Sequence, residues 1–378
     1  MTTTEDPLAP EDQSAPEDVV AAWAGPPSPP TDGPLTLQEL QLAGRNRGMP
    51  LEAMRYDITP TGLHYLLVHF DIPAVDPVTW RLRLGGLVDN PIELSLEDLR
   101  ARPSHTIPVT LECAGNGRAR LSPRPLSNPW LFEAVGTAEW TGTPLGPLLD
   151  EAGLRDDAVE LIFTGADRGI QGGTEHDFQR SLSIAEARRP EVLLAYAMNG
   201  APLQPQHGFP VRLVVPGWYG MASVKWLRQI DAVSEPFQGY QQARTYRFKA
   251  DAADPGEPVS RIRVRALMAP PGIPDYFTRR RLVTAGQVSL TGRAWGGRTP
   301  LDRVEVGVDG DWVDAVLGPS MGDFAWRPWS FEWNARPGKH LLACRATDAD
   351  GERQPLSAPW NYQGMGNNSV QSIAVTVR

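Results

Sequence analysis

Val109–Ala119 reads VTLECAGNGRA, an apolar strand that ends on a cysteine and breaks into a loop of glycine, asparagine and arginine. A thiol at such a boundary stands at a sheet edge, where glycine lets backbone approach a ligand closely. The position suits ligation or nucleophilic attack. A nucleophile needs an adjacent base, yet the neighbourhood supplies Arg118, Arg120 and Arg124 and no histidine closer than His105. Arginine stabilises a thiolate without taking its proton, which favours a metal ligand. No second cysteine or paired histidine stands at zinc-site spacing, so the pattern fits a soft thiolate completing a transition metal whose other ligands a cofactor supplies. The bland alternative for Cys113 is a small buried apolar residue. The only other cysteine, Cys344, lies inside the alternating stretch HLLACRAT and reads as strand core. Two cysteines make no disulfide framework.

Around that loop the 378-residue chain has room for two cores. Residues 34–254 alternate short strands and short helices, the pattern of a mixed α+β domain. The strands are expected in TWRLRLGGL, IPVTLEC, VELIFTG, EVLLAYAMNG and FPVRLVVPG. Helices are expected at SLEDLRA, with Ser95 and Asp98 as a capping box, and at PLGPLLDEAG, with Thr143 as N-cap and Gly153 as stop. Glycine-rich turns after the strands disfavour a doubly wound sheet and point to an antiparallel or mixed one. Residues 255–378 lose helical periodicity; QVSLTGRAWGG, DRVEVGVDG, WSFEWNA, KHLLACRATDADG and QSIAVTVR read as a β-sandwich. Residues 1–33, rich in proline and acids, read as a disordered tail.

The formal net charge is −9, but eight of the 45 acidic residues precede the first basic one, Arg45, leaving 37 acids against 36 basic residues. So balanced a body gives no bulk attraction to nucleic acid or to an anionic membrane. No apolar run is long enough to cross a bilayer. The amino terminus lacks a basic n-region, a twin arginine and an apolar core, from which a cytoplasmic location is expected.

A second constellation lies in PQHGFPVRLVVPGWYGMASVKW, where His207, Arg212 and Lys225 surround one strand and the turn after it. Singly they read as a core histidine and two solvated charges; together they would suit a phosphate, arginine as a fork and lysine as a point charge. Asp167, in FTGADRG, either makes an Asx-turn or accepts hydrogen bonds from a heterocycle.

With these residues assembled, the chain resembles the sulfite oxidase family of molybdenum enzymes over nearly everything from Gly62 to Arg378. The resemblance rests on HYLLVHFDIP, VTLECAGNGR, WTGTPLGPLL, the long segment from Glu191 to Gly217, SVKWL, and later GRAWGG, FAWRPWSFEW and WNYQGMGNN. It implies a sulfite-oxidase-like molybdopterin-binding domain followed by an immunoglobulin-like sandwich that dimerises. It implies Mo-molybdopterin, with Cys113 as the protein's metal ligand. It also implies pterin and phosphate contacts from Tyr65, Leu66, Leu67, Val68, His69, Asp167, His207, Arg212, Ser223, Val224 and Lys225. Tyr246 matches the tyrosine beside the exchangeable oxygen, and Arg118 matches an arginine of the substrate pocket.

Two departures stand out. Leu67 and Gln363, the latter in Trp360-Asn361-Tyr362-Gln363-Gly364, occupy positions where the family carries arginines toward its dianionic substrate. Charge-assisted hydrogen bonds are about twice as strong as neutral ones, so losing two cations weakens anion binding unless Arg120, Arg124 or another group compensates. Oxidation of sulfite to sulfate is the first reading. A less anionic substrate, such as a sulfoxide or small organic compound, is the second, and a non-enzymatic binding protein a remote third. No haem, flavin or iron–sulfur fingerprint accompanies the chain, so electrons are expected to leave to a separate acceptor.

Overall fold

The computed structural model describes residues 28–378, so most of the expected tail lies outside the described residues. The tail's expected limit at residue 33 shifts: Thr31 pairs with Arg124 in an antiparallel bridge, and Ser122 Oγ donates to Asp32 at 2.7 Å. Chain pairing therefore begins ahead of residue 34.

The first unit contains β1 (Leu82–Gly86), β2 (Ile92–Leu94), β3 (His105–Glu112), β4 (Val135–Pro144), β5 (Glu160–Gln171), β6 (Thr174–Ser183), β7 (Leu193–Met198), β8 (Ala201–Pro202), β9 (Arg212–Val214) and β10 (Leu227–Val233). One sheet runs β2-β1-β10-β5-β6, antiparallel except where β1 lies beside β10. The other runs β3-β4-β7-β8, with β9 also on β7, and is antiparallel throughout. The expectation of a mixed fold with short helices holds, although strands predominate. Periodicity missed β4 and β6, because VGTAEWTGTP and TEHDFQRSLS are built from small and polar residues whose strand character comes from pairing.

One core joins the sheets: Leu84, Phe163 and Ile230 from the first meet Leu194 and Leu213 from the second and Leu145, Leu148 and Leu149 of a short helix. That helix, Leu145–Ala152, ends on Gly153 as expected (φ 66°), but its cap differs from the expected one. Pro144 occupies the N-cap without a side-chain bond, while the Thr143 hydroxyl donates to Leu99 O at 2.8 Å. The strand runs to the helix start, so Thr143 serves the neighbouring helix end and not its own. Ser95 and Asp98 form the expected capping box of Leu96–Arg100.

The later residues form two sheets. One pairs Arg265–Met268, Gly286–Trp295, Arg327–Ala335 and Val316–Leu317; the other includes Arg281–Val283, Gln371–Val377, Gly338–Asp348 and Leu301–Val308. Leu290, Trp329 and Trp333 of the first face Val306, Leu342, Cys344 and Val375 of the second in a shared core. Cys344 is fully buried there, in agreement with its strand-core reading.

The two units are not independent. Trp295, Trp326 and Met365 belong to the first unit's core. Strand β3 shows how the joint is made, since successive side chains alternate across a sheet. Val109, Leu111 and Cys113 pack with Trp130, Trp140 and Val214, while Thr110 and Glu112 face the later sheets. Glu112 Oε1 pairs with Arg265 at 2.6 Å, with both side chains almost wholly buried, and Glu112 Oε2 accepts from the Trp295 indole at 2.9 Å. Removing one member of such a pair strands a charge, so Arg265→Met is expected to cost about 3–5 kcal/mol of unfolding free energy. Urea denaturation checks this, and Glu112→Gln placed on top should restore part of the loss; an unchanged midpoint for Arg265→Met would show that the pair does not hold the units together.

Candidate functional site

The loop after β3 fixes the thiol from several sides. Cys113 N–H donates to Ala134 O and Asn116 N–H to Cys113 O, each at 2.9 Å. The Asn116 amide donates to Glu112 Oε1 at 3.0 Å and accepts from Ala134 N–H at 3.1 Å. Glycine is required twice here. A Cβ at Gly115 would run into the Arg118 guanidinium, and Gly117 takes φ +89° with the Asn367 side chain against it. Residues of WNYQGMGNN close the far side: Gly366 N–H donates to Ala114 O at 2.7 Å and the Asn367 amide to Gly117 O at 2.8 Å.

Two cavities meet at Cys113. The inner one, with an empty volume of about 690 Å³, is bordered by Tyr65, Leu66, Leu67 and His69 on one side and by Asp167, His207, Arg212, Ser223 and Lys225 on the other. The outer one, a funnel of about 1430 Å³, is bordered by Arg118, Trp130, Arg244, Lys249, Gln363 and Met365. Leu67, His69, Cys113 and Tyr246 border both. Most of the expected site residues are thus brought together, with Arg118 on the funnel side. Val68 and Val224 are not among the bordering residues: Val224 lies in the main core, and Val68 is buried with its N–H donating to Asn46.

The inner cavity gathers Arg212 and Lys225 against a single bordering carboxyl among the described residues, Asp167. Arg212 donates to His207 O (3.2 Å) and Ser223 O (3.0 Å) and lies over the Trp140 ring; Lys225 donates to Leu67 O (2.7 Å) and Gln206 O (3.0 Å). Among the described residues no carboxylate forms an ion pair with Arg212, Lys225 or Arg118. Burial pushes Arg212 down to about 10, so it stays charged at neutral pH, and pushes Lys225 down to about 7 with help from Arg212. Burial raises the Asp167 carboxyl to about 7 against the pull of Lys225. The same desolvation lowers His207 to about 3 and His64 and His69 to about 4, leaving neutral imidazoles. Asp167 Oδ1 and His64 Nε2 are buried with no hydrogen-bond partner. Orphaned polar atoms of this kind, beside an unpaired arginine and lysine, fit a phosphorylated polar heterocycle.

Cys113 is buried, which pushes its thiol up, opposed by the Arg118 guanidinium and by the Trp130 indole N–H that faces it. A bound metal would hold it as thiolate. Arg118 donates to Gln363 O at 3.0 Å, Asn128 O at 3.2 Å and Met365 Sδ at 3.6 Å. Arg120 stacks on Phe132 and Arg124 pairs with Glu39, so neither borders the funnel. Tyr246 takes φ +54°, unusual for an aromatic residue. Gln363 braces that turn from both ends, donating to Arg244 O at 2.9 Å and accepting from Arg247 N–H at 3.0 Å. Sequence reasoning missed His64, Trp130, Arg244, Lys249 and Met365. His64 opens the quoted HYLLVHF, and Arg244 stands two residues before Tyr246, but nothing in their spacing reveals which cavity they border.

A family model described as oxidoreductase molybdopterin binding domain matches residues 69–241, a span that holds Cys113, Asp167, His207, Arg212 and Lys225. The chain is 34% identical to sulfite oxidase of Gallus gallus over 95% of this chain and 81% of that protein. It is 33% identical to mitochondrial sulfite oxidase of Mus musculus over 96% of this chain and 70% of that one. An NADH nitrate reductase of Oryza sativa is 32% identical over 85% of this chain but only 38% of its own length. Among solved structures, the sulfane dehydrogenase SoxCD from Paracoccus pantotrophus superimposes with a TM-score of 0.78 at 23% identity, covering 100% of this chain and 96% of that one, a likeness of fold.

The brace on Tyr246 has a measurable consequence. Gln363→Ala removes two hydrogen bonds from a partly exposed turn and is expected to cost about 1–2 kcal/mol. Hydrogen exchange should report loss of protection at the Arg247 amide; protection equal to that of the unaltered protein would show that the side chain does not hold this turn.

Proposed function

The chain belongs to the sulfite oxidase family of molybdopterin oxidoreductases, and from that premise we propose that it oxidises sulfite to sulfate at Cys113 and hands the electrons to a separate acceptor. The observation that carries this reading is that one buried thiol borders both a cationic cleft with orphaned polar atoms and an open funnel. A cofactor and a substrate can reach the same sulfur from opposite sides.

When bound, the molybdenum cofactor supplies two-electron oxygen-atom transfer. Cys113 is its protein ligand. Arg212, Lys225 and the Ser223 and His207 region hold the phosphate, and Asp167 and His64 satisfy the polar edges of the heterocycle. In the funnel, Arg118 draws in and orients the anion. Its charge is fixed by hydrogen bonds to carbonyl oxygens and a thioether, which neutralise nothing, so its field remains available to a ligand. Burial raises the Tyr246 hydroxyl, which therefore stays protonated and serves as a hydrogen-bond donor. Trp130, Leu67 and Met365 exclude bulk water from the end nearest Cys113, strengthening the Arg118 interaction.

We read the later two-sheet unit as immunoglobulin-like and place a homodimer contact on it. In support, Ile273, Tyr276 and Phe277 are exposed, the last at 89%, whereas Trp295, Trp326, Trp329 and Trp333 are buried and fill cores.

Purified protein should contain about one molybdenum per chain with a releasable pterin, and should reduce ferricyanide with sulfite. Cys113→Ser is expected to abolish turnover while leaving the circular dichroism spectrum and thermal midpoint close to those of the parent. Sulfite turnover that survives the substitution would remove the thiol from the reaction.

A further inference from the structure

The funnel's charge does not match a doubly charged inorganic anion at its inner end. Near Cys113 its walls are Leu67, Trp130, Tyr246 and Met365, and Arg118 is the one buried cation that borders it in the described residues; Arg180 lies behind the Tyr246 ring, 5.6 Å from its centre, and does not border the funnel. Arg244 is exposed and Lys249 half-buried, so both act farther out, where solvent screens them. No carboxylate borders the funnel among the described residues, so it selects anions. Gln363 adds no charge, because both ends of its amide are engaged with the Tyr246 turn.

A guanidinium has five N–H donors. Arg118 uses three groups on Gln363 O, Asn128 O and Met365 Sδ, which leaves two for a ligand. Trp130 adds a buried indole N–H beside the Cys113 sulfur, bonded to no oxygen or nitrogen of the protein. This set suits the oxygens of one singly charged group. A second negative charge would be desolvated at this depth without a cation of its own, which is strongly unfavourable. Leu67 and Met365 instead offer an apolar surface to a substituent.

Building on the oxidoreductase reading above, we propose that the funnel takes monoanionic organosulfur oxyanions and that the protein oxidises alkanesulfinates to alkanesulfonates. The balance is R–SO2⁻ + H2O → R–SO3⁻ + 2 H⁺ + 2 e⁻. A sulfur–oxygen bond forms, both O–H bonds of water break, and the sulfur lone pair supplies two electrons to an external one-electron acceptor, two equivalents of ferricyanide in the assay. The alkyl group occupies the place of the third oxygen of sulfite, against Leu67 and Met365. Arg244 and Lys249 steer the anion inward.

Equilibrium binding separates the charge argument from turnover. Calorimetric titration of the molybdenum-loaded protein with ethanesulfonate and with sulfate should show the singly charged sulfonate binding at least tenfold more tightly, and Leu67→Arg should reverse that order. The parent protein's ratio needs no variant, so a misfolded Leu67→Arg does not spare the proposal. Ethanesulfinate should reduce ferricyanide with a kcat/KM at least equal to that of sulfite. Tighter binding of sulfate, or a sulfonate preference without ethanesulfinate turnover in enzyme that oxidises sulfite, overturns the proposal and leaves sulfite oxidation standing. If loaded enzyme oxidises neither compound, the sulfite reading falls as well.

Discussion

The buried ion pair between Glu112 and Arg265 is the constraint on which the molecule is organised. Strand β3 ends on this carboxylate, and the site cysteine is the next residue, packed on the opposite face. An ion pair so deep gains little net stability, because desolvation offsets most of the attraction. What it contributes is register. The carboxylate receives Arg265, Trp295 and Asn116, two of them from the later sheets and one from the cysteine loop. The thiol cannot shift along the strand without breaking those bonds, and the later sheets cannot slide without breaking the same ones.

Built on that joint, the site is divided by charge and by access. Neutral imidazoles and an unpaired arginine line the inner cavity, whereas the funnel combines a buried guanidinium with apolar walls. The two cavities do opposite work with similar residue types. Arg212 and Arg118 are equally buried, but Arg212 borders the inner cavity, among backbone carbonyls and a tryptophan face, and Arg118 borders the funnel. Position 363 borders only the second cavity, whereas Leu67 stands where the two meet. The inner cavity keeps the expected Arg212 and Lys225, while the funnel has Leu67 and Gln363 where the resemblance implied arginines.

Much of this was legible in the sequence, and the reasons for the gaps are specific. The apolar strand in IPVTLEC, the capping box at Ser95 and the glycine stop at Gly153 are local signals, and each appears as read. The cysteine and the His207, Arg212 and Lys225 group were legible because their chemistry is unusual for their surroundings. Thr143 misled because a helix cap and a contact to the neighbouring helix end look identical in one dimension. Glu112 gave no signal: an acid at the end of an apolar strand looks like a solvent-facing residue, and only the arrival of Arg265 more than a hundred residues later makes it core. Gln363 was legible as a missing charge but not as a strut, since its partners are backbone atoms of a distant turn.

The bond from Arg118 to the carbonyl of Gln363 spans 245 positions of sequence. Ribosomes add roughly 5–20 residues per second, so the cysteine loop emerges on the order of tens of seconds before the segment that walls it in. During that interval the nascent thiol faces water on the side where Met365 and Gly366 later stand. Every residue bordering the inner cavity lies between His64 and Tyr246, so that cleft emerges whole while the funnel still lacks its wall at Gln363 and Met365.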